Sequence, residues 1–414
     1  MDSKYVPRLA DRFIADLLAD FPALLLEGPR ASGKTTTAAR HARSVVHLDD
    51  PREADVVRAD PEAVLTRRAE PVLIDEWQLV PSVLWAIKRA VDADYRPGRF
   101  IVTGSVHGRT EGPTWPGVGR LMPVSMAGMT VREVAGEDLD RPSLLERFAQ
   151  DGINGLQVPT STPDLAEYVE LAVRGGFPEA VRATSARSRH RWMTAYLGYL
   201  FDREIEQLEG RRDPTKLRRF FEAYALNTSG IVPYLTLAEA AEITRQTAEV
   251  YEGALTDLFL VETVPAWSTN RLKRLVKSPK RYVVDPGLVA GALRLNTAGV
   301  LRDGEVLGRL LDTFVYSQLR AETQFDQEAP RLFHLRQEKG AREVDLIAEF
   351  PMNKIIGIEV KATATPGQGA AKHLRWLRDE LGDQFLGGIV FHTSPYLYQL
   401  DDKIVAAPIC TLWG

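Results

Sequence analysis

The run Gly28-Pro29-Arg30-Ala31-Ser32-Gly33-Lys34-Thr35 constrains this chain more than any other stretch, because it fits G-x-x-x-x-G-K-[ST] in full. It follows the apolar run ALLLEG and opens the helical pattern TTTAARHAR. Glycine lets the backbone wrap closely, so that its N–H groups and a helix N-terminus face phosphate oxygens. The spacing predicts a site for ATP with magnesium, lined by residues 28 to 36 and closed by Thr36. Lys34 would reach the β- and γ-phosphates, and the Thr35 hydroxyl would ligate magnesium.

Three further apolar runs, SVVHLDD, PVLIDEW and RFIVTGS, alternate with helical patterns and each ends in a polar cluster. That alternation predicts an α/β domain with a parallel sheet, and in open sheets of this kind ligands lie outside the carboxyl ends of the strands. Asp75 and Glu76 end one such strand. Asp75 would hold magnesium through its water shell, and Glu76 would polarise the attacking water. Thr103 and Ser105 end another, where a hydroxyl could bond the water or the γ-phosphate. Arg120 is a candidate finger for phosphate charge in the transition state; a solvated surface arginine is the competing reading.

Composition narrows the class. The chain has 414 residues, 44% apolar and 26% charged, which is ordinary globular usage and suggests two or three domains. A net charge of −4 is small, so no nucleic-acid footprint dominates, though local basic patches stay possible. Cys410 is the single cysteine, which excludes an internal disulfide and argues against a cysteine-ligated metal. The N-terminus does not read as a signal peptide, and apolar runs are interrupted well before the about 18 residues of a membrane span. The expected compartment is the cytoplasm, with no membrane partner.

Three domains are expected: 1–145 around the phosphate loop, a helical and winged-helix middle over 146–300, and a second α/β domain over 301–414. Thr162 reads as a helix N-cap before Pro163, and Thr236 with Glu239 has capping-box spacing. Two helices with a turn between them, LAEAAEIT and RQTAEVYEGALTDLFLVE, lead into a wing. Arg271, Lys273, Arg274, Lys277, Lys280 and Arg281 crowd eleven residues of that wing with no acid among them. They could contact DNA phosphates. Arg245 and Gln246 could reach bases, whereas Glu249, Glu252 and Asp257 would repel DNA. A solvated edge is the bland alternative.

In the last domain Asp345, Glu359 and Lys361 are spaced as D-x13-E-x-K. Residues two apart on a strand share a face, so Glu359 and Lys361 project together, and a turn near Pro351 would bring Asp345 opposite. Two carboxylates could bind a metal and the lysine could orient water for phosphodiester hydrolysis. A charged hairpin with Ile356, Ile358 and Val360 on its buried face gives the same pattern. His334, Arg336 and Glu343 read as strand residues beside this group.

With these residues in view, the chain resembles a prokaryotic family of AAA-type P-loop ATPases. The carriers are LLLEGPRASGKTT, VLIDEWQLVPSVLWAIK, FIVTGS, GRLMPVS, DLFLVE, KSPKRYVVDPGL and REVDLIAEF with IIGIEVKA. The resemblance implies an ATPase domain, a winged-helix segment and a restriction-endonuclease-like PD-(D/E)xK terminal domain, with homo-oligomers expected. Asp312 departs from it, since a glutamate is usual there, which puts a metal role for this position in doubt. The expected activity is magnesium-dependent ATP binding and hydrolysis coupled to DNA or to a protein partner. The alternatives are an ATP-gated nuclease and a nucleotide-switched regulatory protein.

Overall fold

The computed structural model describes residues 5–105, 117–204, 213–270, 274, 277–337 and 340–414. The chain folds into two compact units, residues 1–128 with 256–259, and residues 129–255 with 260–414.

The first unit is built on five parallel strands: β1 (Ala23–Glu27), β2 (Ser44–His47), β3 (Val72–Asp75), β4 (Phe100–Gly104) and β5 (Leu121–Ser125). Their spatial order is β2-β3-β4-β1-β5. Strands such as VLID and FIVTG are apolar throughout and wholly buried, as parallel strands covered on both faces must be. Register aligns their carboxyl ends: Glu27 lies opposite Gly104 and His47 opposite Asp75. The four polar clusters therefore meet at one edge. Because β4 lies between β1 and β3, Thr103, next to its last residue, stands beside Asp75. Leu25, Ile74, Trp77, Ile87, Phe100 and Val102 pack together beneath that edge.

The second unit begins earlier than position 145. Helix Val131–Ala135 belongs to it, since the Gln318 side chain accepts from the Val131 N–H and Glu322 pairs with Arg132. Helices Leu165–Arg174, Ala186–Tyr199 and Pro214–Leu226 follow. The first is capped by Asp164, not Thr162: Asp164 and Glu167 form a reciprocal capping box immediately before the apolar run. Thr236 likewise lies inside helix Tyr234–Ala240, which has no side-chain cap. Helix Arg245–Asp257 then leads to an antiparallel ribbon of β6 (Val261–Val264) and β7 (Lys280–Val283).

After helix Gly304–Thr323 come β8 (Arg331–Gln337), β9 (Arg342–Glu349) and β10 (Ile355–Val360), then helix Lys372–Leu381. They continue into β11 (Phe385–His392), β12 (Tyr398–Asp401) and β13 (Ile404–Pro408). The sheet order is β12-β13-β11-β10-β9-β8. Strands β8, β9 and β10 run antiparallel, and β11 and β13 are parallel to β10.

Candidate active site

Three left-handed or near-mirror backbone positions shape the phosphate loop. Gly28 has φ 153°, and a Cβ there would lie 2.1 Å from the Met126 carbonyl oxygen, so only glycine fits. Gly33, at φ 98°, turns the chain into helix Lys34–His41, and Ala31 adopts φ 60°. The loop is braced from outside. The buried Arg8 guanidinium donates to the carbonyls of Ser32 at 2.9 Å and Ala127 at 3.0 Å.

Lys34 is almost wholly buried, and its ammonium donates to the Gly28 carbonyl at 2.9 Å and the Pro29 carbonyl at 2.8 Å. Burial pulls its pKa down to about 8, against the opposing pull of Glu76 and Asp75. The Ser32 hydroxyl oxygen is buried with no partner among the described residues. An unsatisfied donor and a folded-back ammonium inside one loop suit an anionic ligand with several acceptor oxygens.

Asp75 collects the neighbouring hydroxyls. The Thr35 Oγ1 donates to its Oδ1 at 2.8 Å and the Thr103 Oγ1 to the same oxygen at 2.5 Å. Its Oδ2 lies 3.8 Å from His47 Nδ1. Thr35 and Asp75 together offer hard oxygen donors, which fit magnesium. His47, Asp49 and Asp75 also bring one ligand atom each within 4.8 Å of one another. His47 and Asp49, at the exposed end of β2, have no sequence motif that marks them beforehand.

Glu76 sits at φ 57°, ψ 53°, a left-handed conformation rare for a side-chain-bearing residue. Its Oε2 accepts from the Ser105 hydroxyl at 3.0 Å and from the Gln78 amide. Its N–H donates to Thr103 Oγ1 at 3.3 Å. A carboxylate so held is fixed in direction. Gln78 escapes sequence reasoning because nothing in a short turn, WQL, shows where its amide points.

Arg120 requires a correction. It precedes Leu121, which pairs with Ala23, so it stands at the amino end of the sheet, opposite the phosphate edge. There its Nε lies 2.6 Å from Asp92 Oδ1. It does not reach the phosphate loop of its own chain.

In the second unit Asp345 and Glu359 do come together. Asp345 Oδ2 accepts from the Val360 N–H at 2.9 Å, and the Lys361 ammonium lies 2.6 Å from Glu359 Oε2 and 3.9 Å from Asp345 Oδ2. Strands β9 and β10 do pair antiparallel with Ile356 and Ile358 buried, and the acid on their charged side is not solvated: Glu359 is 3% exposed, its Oε1 has no partner among the described residues, and burial with Asp345 nearby pushes its pKa up to about 8. Lys280 completes the cluster. Its buried ammonium donates to Asp312 Oδ2 at 2.7 Å and to the Asp345 carbonyl at 3.1 Å. Asp312 also accepts from the Tyr282 hydroxyl at 2.8 Å, and burial moves its pKa up to about 6 against the pull of Lys280.

Among its described residues the basic run is therefore not a solvated cationic strip. Lys280 is spent on Asp312, and Arg281 is buried against Glu252, Nε to Oε1 at 2.7 Å. Arg274 forms a two-pronged pair with Glu349 at 2.7 and 2.8 Å. None of these three presents its charge to a nucleic acid. Lys277 is partly exposed, while Arg271 and Lys273 lie outside the described residues. Glu252, read as a repulsive group on a recognition helix, is an internal counter-ion; Glu249 pairs with Arg245 at 3.0 Å.

A parallel sheet with this order, a full phosphate loop and an acid at the end of the strand beyond β4 define a P-loop nucleotide-binding domain. Comparison agrees: residues 20–135 match the AAA domain family. Residues 165–299 match a domain of unknown function, DUF8612, and residues 307–412 match another, DUF4143. Two uncharacterised proteins, from Mycobacterium bovis and Mycobacterium tuberculosis, are each 28% identical over 393 residues, covering 94% of this chain and 80% of theirs. A Walker-type ATPase of Pyrococcus abyssi is similar in structure with a TM-score of 0.41 and 17% identity, over 69% of this chain and 94% of that one. Among the described residues no helix is long and apolar enough to cross a membrane.

Proposed function

We propose that the first unit binds ATP with magnesium and hydrolyses it. The observation that carries this reading is the convergence of Thr35 and Thr103 on Asp75 Oδ1, beside a Glu76 held by Ser105 and Gln78. Residues 28 to 36 would wrap the phosphates with backbone N–H groups, and Lys34 would exchange its two loop carbonyls for phosphate oxygens. Thr35 and Asp75 would hold magnesium, which when bound supplies charge stabilisation for the transferring phosphoryl group. Glu76 would orient the attacking water, with Ser105 and Gln78 fixing its carboxylate and Thr103 fixing its backbone.

The test is ATP turnover by the purified full chain beside two variants. Lys34→Ala should lose ATP binding. Glu76→Gln should keep binding and lose turnover by about a hundredfold or more. Turnover in Glu76→Gln equal to that of the parent chain would sink the assignment.

A second reading concerns the terminal domain. Helix, three antiparallel strands, helix and parallel strand follow the order of restriction-endonuclease-like folds, and Asp345, Glu359 and Lys361 gather as that fold uses them. The preceding helices with the β6–β7 ribbon likewise support a winged-helix reading. Nuclease activity with magnesium or manganese should vanish in Asp345→Ala and Lys361→Ala; activity persisting in both would place it elsewhere. A several-fold rise in turnover on adding DNA would couple hydrolysis to DNA, and turnover indifferent to DNA would turn the search to a protein partner.

A further inference from the structure

A cleft of about 640 Å³ opens in the second unit, lined by the residues that follow β6, by β8 and the start of β9, and by helix Lys372–Leu381. Asp312, Asp345, Glu359 and Lys361 are not among its lining residues. Its volume is that of a small-molecule site and is ample for one nucleotide. Among the described residues Lys277, Arg336 and Arg342 bring three cations to the lining, against one acid, Glu380.

The cleft also has an aromatic element. The Arg342 guanidinium sits over the Trp376 ring, 4.5 Å from its centroid, and Trp376 is partly exposed. A guanidinium backed by an indole is a platform on which another flat π-system can stack. Among the described residues Arg336 has a loose ion pair, 3.6 Å from Glu343, and it is exposed.

His334 supplies the third element. Its Nε2 lies 3.1 Å from the Ser278 carbonyl oxygen, and a carbonyl only accepts, so Nε2 carries the proton. Nδ1 is then a bare acceptor, buried at the cleft wall and without a partner among the described residues. Burial lowers the ring's pKa to about 4, so the imidazole stays neutral at ordinary pH and keeps that acceptor.

We propose that this cleft binds a nucleotide unit, its base stacked on the Arg342–Trp376 pair, its phosphate on Lys277 and Arg336, and a donor of the base or sugar directed at His334. An acidic peptide would satisfy the cations, and its N–H groups could donate to His334, but it would leave the stacking platform unused. Duplex DNA hides its base faces, so the base must come unstacked, from a free nucleotide or from a single strand. The inference is independent of ATP hydrolysis in the first unit.

The test uses the full chain carrying Lys34→Ala, which removes nucleotide binding at the phosphate loop. A fluorescein-labelled oligodeoxyadenylate is followed by anisotropy and competed with AMP, duplex DNA and polyglutamate. The double variant Lys277→Glu/Arg336→Glu should weaken the single strand about tenfold or more and flatten its salt dependence. Trp376→Leu should weaken it at least about threefold. Competition by AMP assigns the site to free nucleotides, and competition by the strand alone assigns it to single-stranded nucleic acid. The proposal is overturned if neither AMP nor the strand binds, if both variants bind as the parent does, or if polyglutamate competes equally well. ATP turnover of chains with Lys34 intact, with and without the three cleft substitutions and measured without nucleic acid, keeps failure here apart from failure of the ATPase reading.

Discussion

Lys280 shows what one buried side chain can decide. Its ammonium faces Asp312, the Asp345 carbonyl and, at 3.8 Å, Asp345 Oδ1, so a lysine stands where two acids would otherwise repel one another. Replacing it with methionine keeps the stem and removes the charge, leaving Asp312 without its counter-ion. Breaking one side of a buried pair costs about 3–5 kcal/mol. We predict that Lys280→Met lowers the melting temperature of the second unit by several degrees in differential scanning calorimetry. Lys280→Met/Asp312→Asn should recover part of that loss, because the orphaned carboxylate is gone. Equal melting of parent and single variant would show that the pair is solvated after all. A sequence gives no warning of this role: KSPKRYVVD reads as a basic strip, and the partner acids lie far along the chain.

At the scale of elements, caps and strand ends carry most of the local information. Asp164 accepts from the Glu167 N–H at 2.8 Å, while Glu167 accepts from the Asp164 N–H at 2.8 Å, so one helix start holds two otherwise unmet donors. Asp164→Ala should cost about 1 kcal/mol, read as a lower urea midpoint with an unchanged slope. Thr162→Ala, the cap that the sequence pattern favours, should cost nothing measurable; the reverse ranking would mean that helix Leu165–Arg174 starts earlier. Elements with a local signature were legible in this way. The phosphate loop, the acid-ended β3, and the β9–β10 pair carrying Asp345 and Glu359 all declare themselves by pattern within a few residues. Strands β12 and β13 did not, since YQLD alternates weakly and IVAAP is a short run whose strand identity comes from pairing with β11. Nor did the brace of Arg8 on the phosphate loop, or the hold of Gln78 on Glu76. Those contacts depend on where separate elements meet, which periodicity does not encode.

On the scale of the whole molecule, acid–base balance differs between the units. In the second unit burial pushes up Asp285 and, further, four other carboxyl groups: Glu359 to about 8, Glu322 and Asp326 to about 7, and Asp312 to about 6. Unfolded, all four titrate near pH 4. Between those values the folded state holds protons that the unfolded chain has released, so stability falls as pH rises. Buried His334 and His392 and the half-buried His373 are shifted down and act in the opposite sense, but only below their unfolded value near 6.5. Between about pH 6.5 and 8 the carboxyl groups therefore set the slope alone, at roughly 1 to 3 kcal/mol per pH unit for the one to two extra protons held. We predict that the second unit's calorimetric transition falls by several degrees across that window. ATP with magnesium should raise the other transition, because the ligand binds only the folded first unit. Glu322→Gln should flatten the pH slope without altering the nucleotide shift, since it removes one titrating group and leaves the phosphate loop untouched. A second-unit transition that is level or climbs from pH 6.5 to 8 would mean that these carboxyl groups are ionised in the fold and that Arg132, Lys280 and Lys361 hold them as carboxylates.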